Sequence, residues 1–209
     1  MSEAIIVTPA DVEKGAEALA GICPRMAEAR ALVGPLPLRR KPEGFSQLLS
    51  AIVSQQVSVA SASAIWARME AASLTTPDAV MQADDETLRA IGLSRQKMTY
   101  SKALAAAEID FDSLGEMPSE TVIARLVEVP GVGPWTAEIY AMFSLGRADV
   151  FAHGDLALQE AARMLYDLPE RPKERQMRDM AQAWRPWRSV AARILWAYYR
   201  LEKQREGIR

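Results

Sequence analysis

The sequence predicts an all-α protein, and three observations predict it. Alanine, leucine, methionine and charged residues dominate the chain, and these are the better helix formers. No alternating β-branched run of strand length occurs. Helix starts are marked repeatedly by a hydroxyl followed by proline or an acid. With 209 residues, 49% of them apolar, the chain can build one domain or two lobes that share a core.

Helices are expected near 9–20, 24–33, 43–54, 58–72, 77–82, 85–91, 95–107, 119–128, 134–144, 155–166, 172–183 and 187–205. Thr8-Pro9-Ala10-Asp11 opens the first with a capping hydroxyl, a first-turn proline and an acid. The longest non-helical piece runs from Gly34 through Pro35, Pro37 and Pro42, and reads as a crossing between lobes. Thr76-Pro77-Asp78 and Ser119-Glu120 mark two later starts. Gly92-Leu93-Ser94 is an interhelical turn, and Gly131-Val132-Gly133 is a second, similar only in outline.

The second turn is the more informative. Helix 119–128 must end at Val129, because proline disfavours helix at the residue before it. Gly131 and Gly133 accept positive φ without penalty. Pro134 fits the first turn of the following helix, where its missing N–H is not needed. The remaining N–H groups of such a helix start carry partial positive charge and suit a phosphate oxygen. Asp155 follows Trp135 by 20 positions and begins the next apolar helix, and Gly154-Asp155-Leu156 suits an N-cap.

The net charge of −2 is unevenly spread. From Arg171 onward there are 11 Lys and Arg against 4 Asp and Glu, a net of +7, while the first 170 residues carry −9. A basic segment on an acidic body can meet a polyanion along one face, or can be a solvated helix face. The single cysteine, Cys23, excludes an intrachain disulfide framework. One histidine and one cysteine argue against a metal site. Nothing near the N-terminus reads as a signal peptide, and no run of about 18 apolar residues suggests a membrane span. The expectation is a cytoplasmic protein.

Val129-Pro130-Gly131-Val132-Gly133, with Asp155 downstream, resembles the hairpin and aspartate of the helix-hairpin-helix DNA glycosylase superfamily. Within it, the chain is similar to the DNA-3-methyladenine glycosylase II branch. Trp135-Thr136-Ala137 follows the hairpin, Val150-Phe151 precedes the aspartate, and Pro186-Trp187-Arg188-Ser189 lies near the C-terminus. Ile52-Val53-Ser54-Gln55-Gln56-Val57-Ser58 matches the branch's upstream helix junction. The likeness runs from about Phe45 to Tyr199, with four motifs in order. The chain is too short for the extra N-terminal domain of some members, so the likeness is to a compact form.

The resemblance implies two helical lobes, 43–145 and 1–42 with 146–209, forming one glycosylase domain with a cleft between the lobes. It implies a partner, duplex DNA carrying alkylated bases, bound by a monomer that associates with the nucleoid. Asp155 would be catalytic, either stabilising positive charge on the sugar or orienting and activating a water. Pro130, Gly131, Val132, Gly133 and Thr136 would hold the DNA backbone. Trp135 and Trp196 would line the base pocket, with Phe151 and Tyr140 as weaker candidates and Ile139 where the branch has an aromatic residue. Gln56, or else Gln55, would be the wedge that fills the gap left by the flipped base. His153 could touch the target strand or the water, although a loop role is the simpler reading. No cofactor is required, and the cysteine count excludes an iron–sulfur cluster. The hairpin carbonyls could hold a monovalent cation.

Members that also cut the strand place a Schiff-base lysine where this chain has Trp135. The expected enzyme is therefore monofunctional: it excises alkylated purines of the 3-methyladenine and 7-methylguanine type and leaves an abasic site. A lone acid suits a base already made cationic by alkylation, because such a base leaves without a general acid. Two other readings stand beside this one, a non-catalytic helix-hairpin-helix DNA-binding module and a helical interaction protein.

Overall fold

The computed structural model describes residues 3–207, with side chains through residue 204. Among these residues there are twelve α-helices, two short 3-10 turns and no strand. The helices are α1 (Pro9–Ile22), α2 (Pro24–Val33), α3 (Phe45–Ser54), α4 (Val59–Ala71), α5 (Pro77–Gln82) and α6 (Asp85–Ile91). They continue with α7 (Arg95–Ala106), α8 (Ser119–Val127), α9 (Pro134–Phe143), α10 (Leu156–Leu165), α11 (Glu174–Met180) and α12 (Arg188–Gly207). None of the described helices is long and apolar enough to cross a membrane.

The starts follow from local hydrogen-bond chemistry. Thr8 and Asp11 form a reciprocal capping box on α1: Asp11 N–H donates to Thr8 Oγ1, and Thr8 N–H donates to Asp11 Oδ2 at 2.8 Å. Thr76 caps α5 through Ala79 N–H. Asp84, Ser94 and Ser58 cap α6, α7 and α4 in the same way. α8 begins at Ser119 as expected, with Pro118 in the cap position and Ser119 buried as the first helical residue.

The chain divides into two compact units, residues 41–140 and residues 1–40 with 141–209. In the first, α7 is the hub against which α3, α5 and α6 pack, and α4 lies on α3. Leu48, Leu49, Ile52, Met69, Leu88 and Leu104 form its core. In the second unit, α12 is the hub, packed by α1, α2 and α10. Leu19, Met26, Leu158, Trp184, Ile194 and Leu195 are buried there. Gly34 to Gly44 contains no helix.

The second unit also holds a feature that sequence periodicity does not reveal. The N-terminal segment pairs with residues 146–148: Ile6 N–H donates to Gly146 O at 2.7 Å and Ala148 N–H to Ala4 O at 3.0 Å. This is a single bridge, too short to give a period-2 signal.

The approach of α1 to α12 depends on one missing side chain. A Cβ at Gly15 would lie 2.7 Å from both Trp187 Cε3 and Val190 Cγ2. A Cβ at Gly21 would meet nothing within 4 Å. Gly15→Ala should therefore destabilise by about 1–3 kcal/mol through overpacking. Gly21→Ala should gain about 0.5 kcal/mol by reducing unfolded-state freedom. Thermal unfolding separates the two, because the Tm moves by about 2–4 °C per kcal/mol at this chain length.

Candidate active site

In the unit of residues 41–140, the turn between α8 and α9 is built on Gly131, whose φ is 92°. A Cβ there would sit 2.4 Å from the ring of Tyr100 on α7. Packing and backbone angle thus both require glycine. Gly133 is different. It lies outside the positive-φ region, so it does not use the freedom that glycine offers, and no protein atom would crowd its Cβ. Val132 N–H closes the turn on Val129 O at 3.0 Å, and the first backbone bond into α9 runs from Ala137 N–H to Gly133 O. Donors ahead of Ala137 precede the intrahelical ladder, so the helix start offers N–H groups and partial positive charge.

Gln55 braces this turn. Its Nε2 donates to Gly131 O at 2.9 Å, so in this structure Gln55 supports the hairpin and is not extended as a wedge. Gln56 is exposed and has φ 55°, an uncommon angle for a non-glycine residue. Lys97 completes the brace. It is buried, and its ammonium donates to Val53 O at 2.5 Å, near the C-terminal end of α3, where a cation is favoured. Burial pushes its pKa down. Ser54, Gln55, Gln56, Lys97, Tyr100 and the hairpin line a concavity of about 970 Å³. Lys97 and Tyr100 do not stand out in the sequence, although the Gly92-Leu93-Ser94 turn announces the helix that carries them.

Thr136 is largely buried, but it lines the concavity beside the hairpin. Trp135 is 45% exposed, one of the most exposed large apolar residues of the chain. Ile139 is half-buried. Of the turn carbonyls, Gly131 O and Val129 O already accept Gln55 Nε2 and Val132 N–H. Any monovalent cation would share those oxygens with internal donors. Among the described residues, no group of three His, Cys, Asp or Glu could hold a metal ion.

In the other unit, Asp155 is the N-cap of α10. Its Oδ1 accepts from Ala157 N–H at 2.9 Å and from Leu158 N–H at 3.0 Å. The same oxygen accepts the indole N–H of Trp196 at 3.2 Å. Trp196, on α12, lies 5.8 Å from Phe143 between ring centroids. The carboxylate, the indole and the helix start therefore form one assembly, joining two residues that are 41 positions apart.

Two arginines hold the segment leading to Asp155. Arg188 donates from Nε to Asp149 Oδ1 at 2.8 Å and from Nη2 to Asp149 O at 2.6 Å, and Arg185 Nε reaches Asp149 Oδ2 at 3.0 Å. Ser189 N–H donates to Ala148 O at 2.9 Å. Pro186-Trp187-Arg188-Ser189 thus ties the 148–149 backbone to the start of α12, two turns before Trp196. Much of the basic C-terminal segment is committed inside the unit: Arg185 and Arg188 pair with Asp149, Arg178 pairs with Glu174, and Arg193 is buried.

Phe151 is only 1% exposed and packs on Trp184 with ring centroids 5.3 Å apart. It is a core residue and not part of a base pocket. His153 is buried as well, 5.3 Å from the Phe151 ring, and its carbonyl accepts from Gln159 Nε2. Its imidazole packs inward and is not displayed to a strand. Tyr140 is buried in the unit of residues 41–140, where its phenol oxygen accepts Gly44 N–H at 2.8 Å.

Residues 49–187 match the family described as HhH-GPD superfamily base excision DNA repair protein. DNA-3-methyladenine glycosylase 1 of Schizosaccharomyces pombe is 31% identical over 178 residues, covering 81% of this chain and 78% of that protein. The solved structure of Schizosaccharomyces pombe 3-methyladenine DNA glycosylase in complex with abasic DNA aligns with a TM-score of 0.75 at 31% identity, over 88% of this chain and 95% of that one. A DNA-3-methyladenine glycosidase from Bacillus halodurans aligns with a TM-score of 0.81 at 33% identity, over 98% and 95% of the two chains. The hairpin at Gly131, the capped aspartate at Asp155 and these likenesses agree: the chain belongs to the HhH-GPD superfamily of base excision DNA repair proteins.

Proposed function

We propose that this protein is a monofunctional DNA glycosylase that removes alkylated purines from duplex DNA, acting as a monomer and leaving an abasic site. The observation that carries this reading is the assembly on Asp155 Oδ1, in which two backbone N–H groups and the Trp196 indole hold one carboxylate. A catalytic group must be kept within a fraction of an ångström of its productive position, and donors fixed in a helix start and a packed indole do this.

The chemistry follows from the residues. Phosphate contact falls to the backbone donors at the start of α9. Gln56, at the exposed end of the α3 junction, is the residue suited to fill the stack when the base turns out. The cationic purine is attracted to an electron-rich ring, worth up to about 2 kcal/mol when desolvated. Trp196 can supply such a ring beside the carboxylate, and the exposed Trp135 is a second aromatic surface. As the N-glycosidic bond breaks, Asp155 faces the positive charge that develops on the sugar, or directs the attacking water. The base departs neutral and needs no acid. The reaction needs no cofactor, and a monovalent cation on the turn carbonyls would only stiffen the hairpin. Trp135 cannot form a Schiff base with the sugar, so the strand stays intact.

Asp155→Asn should lower base release by about 10²–10⁴-fold. Because asparagine caps a helix as well as aspartate, its Tm should stay near that of the wild type. The assay is incubation with methylated duplex DNA, chromatography of the released bases, and inspection of the strand with and without alkali. A wild-type protein that binds the duplex but releases no base is a non-catalytic DNA-binding protein, and nicking without alkali rejects the monofunctional assignment. Two glycines separate fold from contact. Gly131→Ala, with its positive φ and the Tyr100 ring in the way, should lose at least about 2 kcal/mol of stability. Gly133→Ala should keep its stability within about 1 kcal/mol of wild type and still weaken duplex binding, as measured by fluorescence anisotropy.

A further inference from the structure

Three arginines of the unit formed by residues 1–40 and 141–209 stand together without an acidic partner. Arg193 is buried to 2% exposure, lies 4.8 Å over the Phe143 ring, and donates to Ser189 O, Ser189 Oγ and Leu38 O. These are neutral acceptors, and its Nε has no hydrogen-bond partner. The bond to Leu38 O brings the 38–40 segment against α12, and Arg39 follows with φ 54°, a left-handed angle uncommon for a large side chain. Arg39 and Arg40 repel Arg193, and Arg200, two turns further along α12, repels Arg39. Burial and this repulsion push the Arg193 guanidinium down to about 10. No carboxylate among the described residues forms an ion pair with Arg39, Arg193 or Arg200. This contrasts with Arg185 and Arg188, which share Asp149. A buried charge without a counter-charge is unfavourable, and like charges beside it add to that. Such an arrangement is relieved when an anion arrives.

We propose that Arg39 and Arg200, with Arg193 behind them, form a binding site for a backbone phosphate of DNA, on the same unit as the Trp196 that holds Asp155, with Arg193 and Arg200 on the same helix as that tryptophan. The site is separate from the hairpin donors at the start of α9. It consists of side-chain charge instead of backbone N–H groups, and it belongs to the other unit. Arg39 and Arg200 are exposed and so can reach a ligand. Guanidinium groups suit phosphate because their planar donors bind two oxygens at once. The inference rests on the glycosylase reading above.

The test is duplex-DNA affinity measured by anisotropy across a series of KCl concentrations. The proteins are wild type, Arg39→Gln, Arg200→Gln, the double variant, Arg39→Lys, and Arg175→Gln as a control from an exposed position on α11. Removing one phosphate contact should reduce the slope of log K against log salt by about 0.9. The double variant should therefore show that full reduction, and each single glutamine variant a measurable part of it. Arg39→Lys should recover the slope, and Arg175→Gln should leave it unchanged. The Tm of the glutamine variants should equal or exceed that of wild type, because a repulsion is removed. Unchanged slopes, an equal reduction in Arg175→Gln, or a lowered Tm in both glutamine variants would overturn the site while leaving the glycosylase reading intact. Absence of any salt-dependent binding by the wild type would instead reject the DNA reading itself. Inorganic phosphate in place of DNA distinguishes the source: a rise in Tm abolished by the double variant, with unaltered DNA slopes, would mean a free-anion site and overturn the backbone assignment.

Discussion

Oδ1 of Asp155 accepts two N–H groups from the first turn of α10 and the indole N–H of Trp196, and the site in its unit is arranged around that oxygen. The two backbone donors are orphans of the helix start that some acceptor must satisfy. The indole donor needs a partner because the ring is largely packed, against Phe143 among others. One carboxylate oxygen answers both needs. A side chain that caps a helix and accepts from a packed indole has few rotamers left, so the demands of folding also fix the group that would act on the sugar. This is why helix capping and catalysis are not competing explanations of Asp155.

Support for that oxygen reaches well back along the chain. Asp149 takes Arg185 and Arg188, and Ala148 O takes Ser189 N–H, so the segment before Asp155 is fastened to the beginning of α12. From there α12 runs two turns to Trp196. The Asp149–Arg188 pair is mostly shielded from water on both sides, with side chains 16% and 17% exposed. Its multiple bonds and planar geometry make it stronger than an ordinary surface ion pair. The hairpin unit solves its own positioning problem differently. Gln55 donates to Gly131 O, Lys97 donates to Val53 O, and Tyr100 fills the space where a Cβ of residue 131 would stand. Side-chain donors on backbone carbonyls, together with one shape constraint, hold a turn whose outward face consists of backbone.

Features built from local chemistry are legible in the sequence. The capping box of Thr8 and Asp11, the Thr76 cap, the end of α8 near Val129 and the cap at Asp155 all involve groups within four residues of each other. Features set by distant neighbours are not. Phe151 has the motif position of a pocket aromatic, but it packs against Trp184 and His153 in the core. Gln55 and Gln56 are adjacent and chemically identical, and only a turn 76 residues further on makes one of them a brace. Gly131 and Gly133 look alike in the motif, but only the first has Tyr100 against it. The pairing of residues 4–6 with 146–148 rests on backbone atoms, which no side-chain pattern reports.

The charge pattern shows the same limit and also what the structure adds to it. The sequence places a net +7 beyond residue 170, which taken as a whole suggests a basic face. The structure divides that charge by partner. Arg178 pairs with Glu174, and Arg185 and Arg188 share Asp149, so most of their charge is offset close by. Arg193 is removed from the surface altogether, yet its neighbours Arg39 and Arg200 lie exposed and unneutralised. One of these comes from the proline-rich crossing far upstream and not from the basic segment. Two exposed guanidinium groups near a buried third raise the local potential more than a longer row of paired ones, since opposite charges a few ångströms apart cancel beyond a Debye length of about 8 Å. Electrostatic preference for a polyanion on this unit therefore depends on which arginines lack acids, and the net charge of the segment does not reveal that.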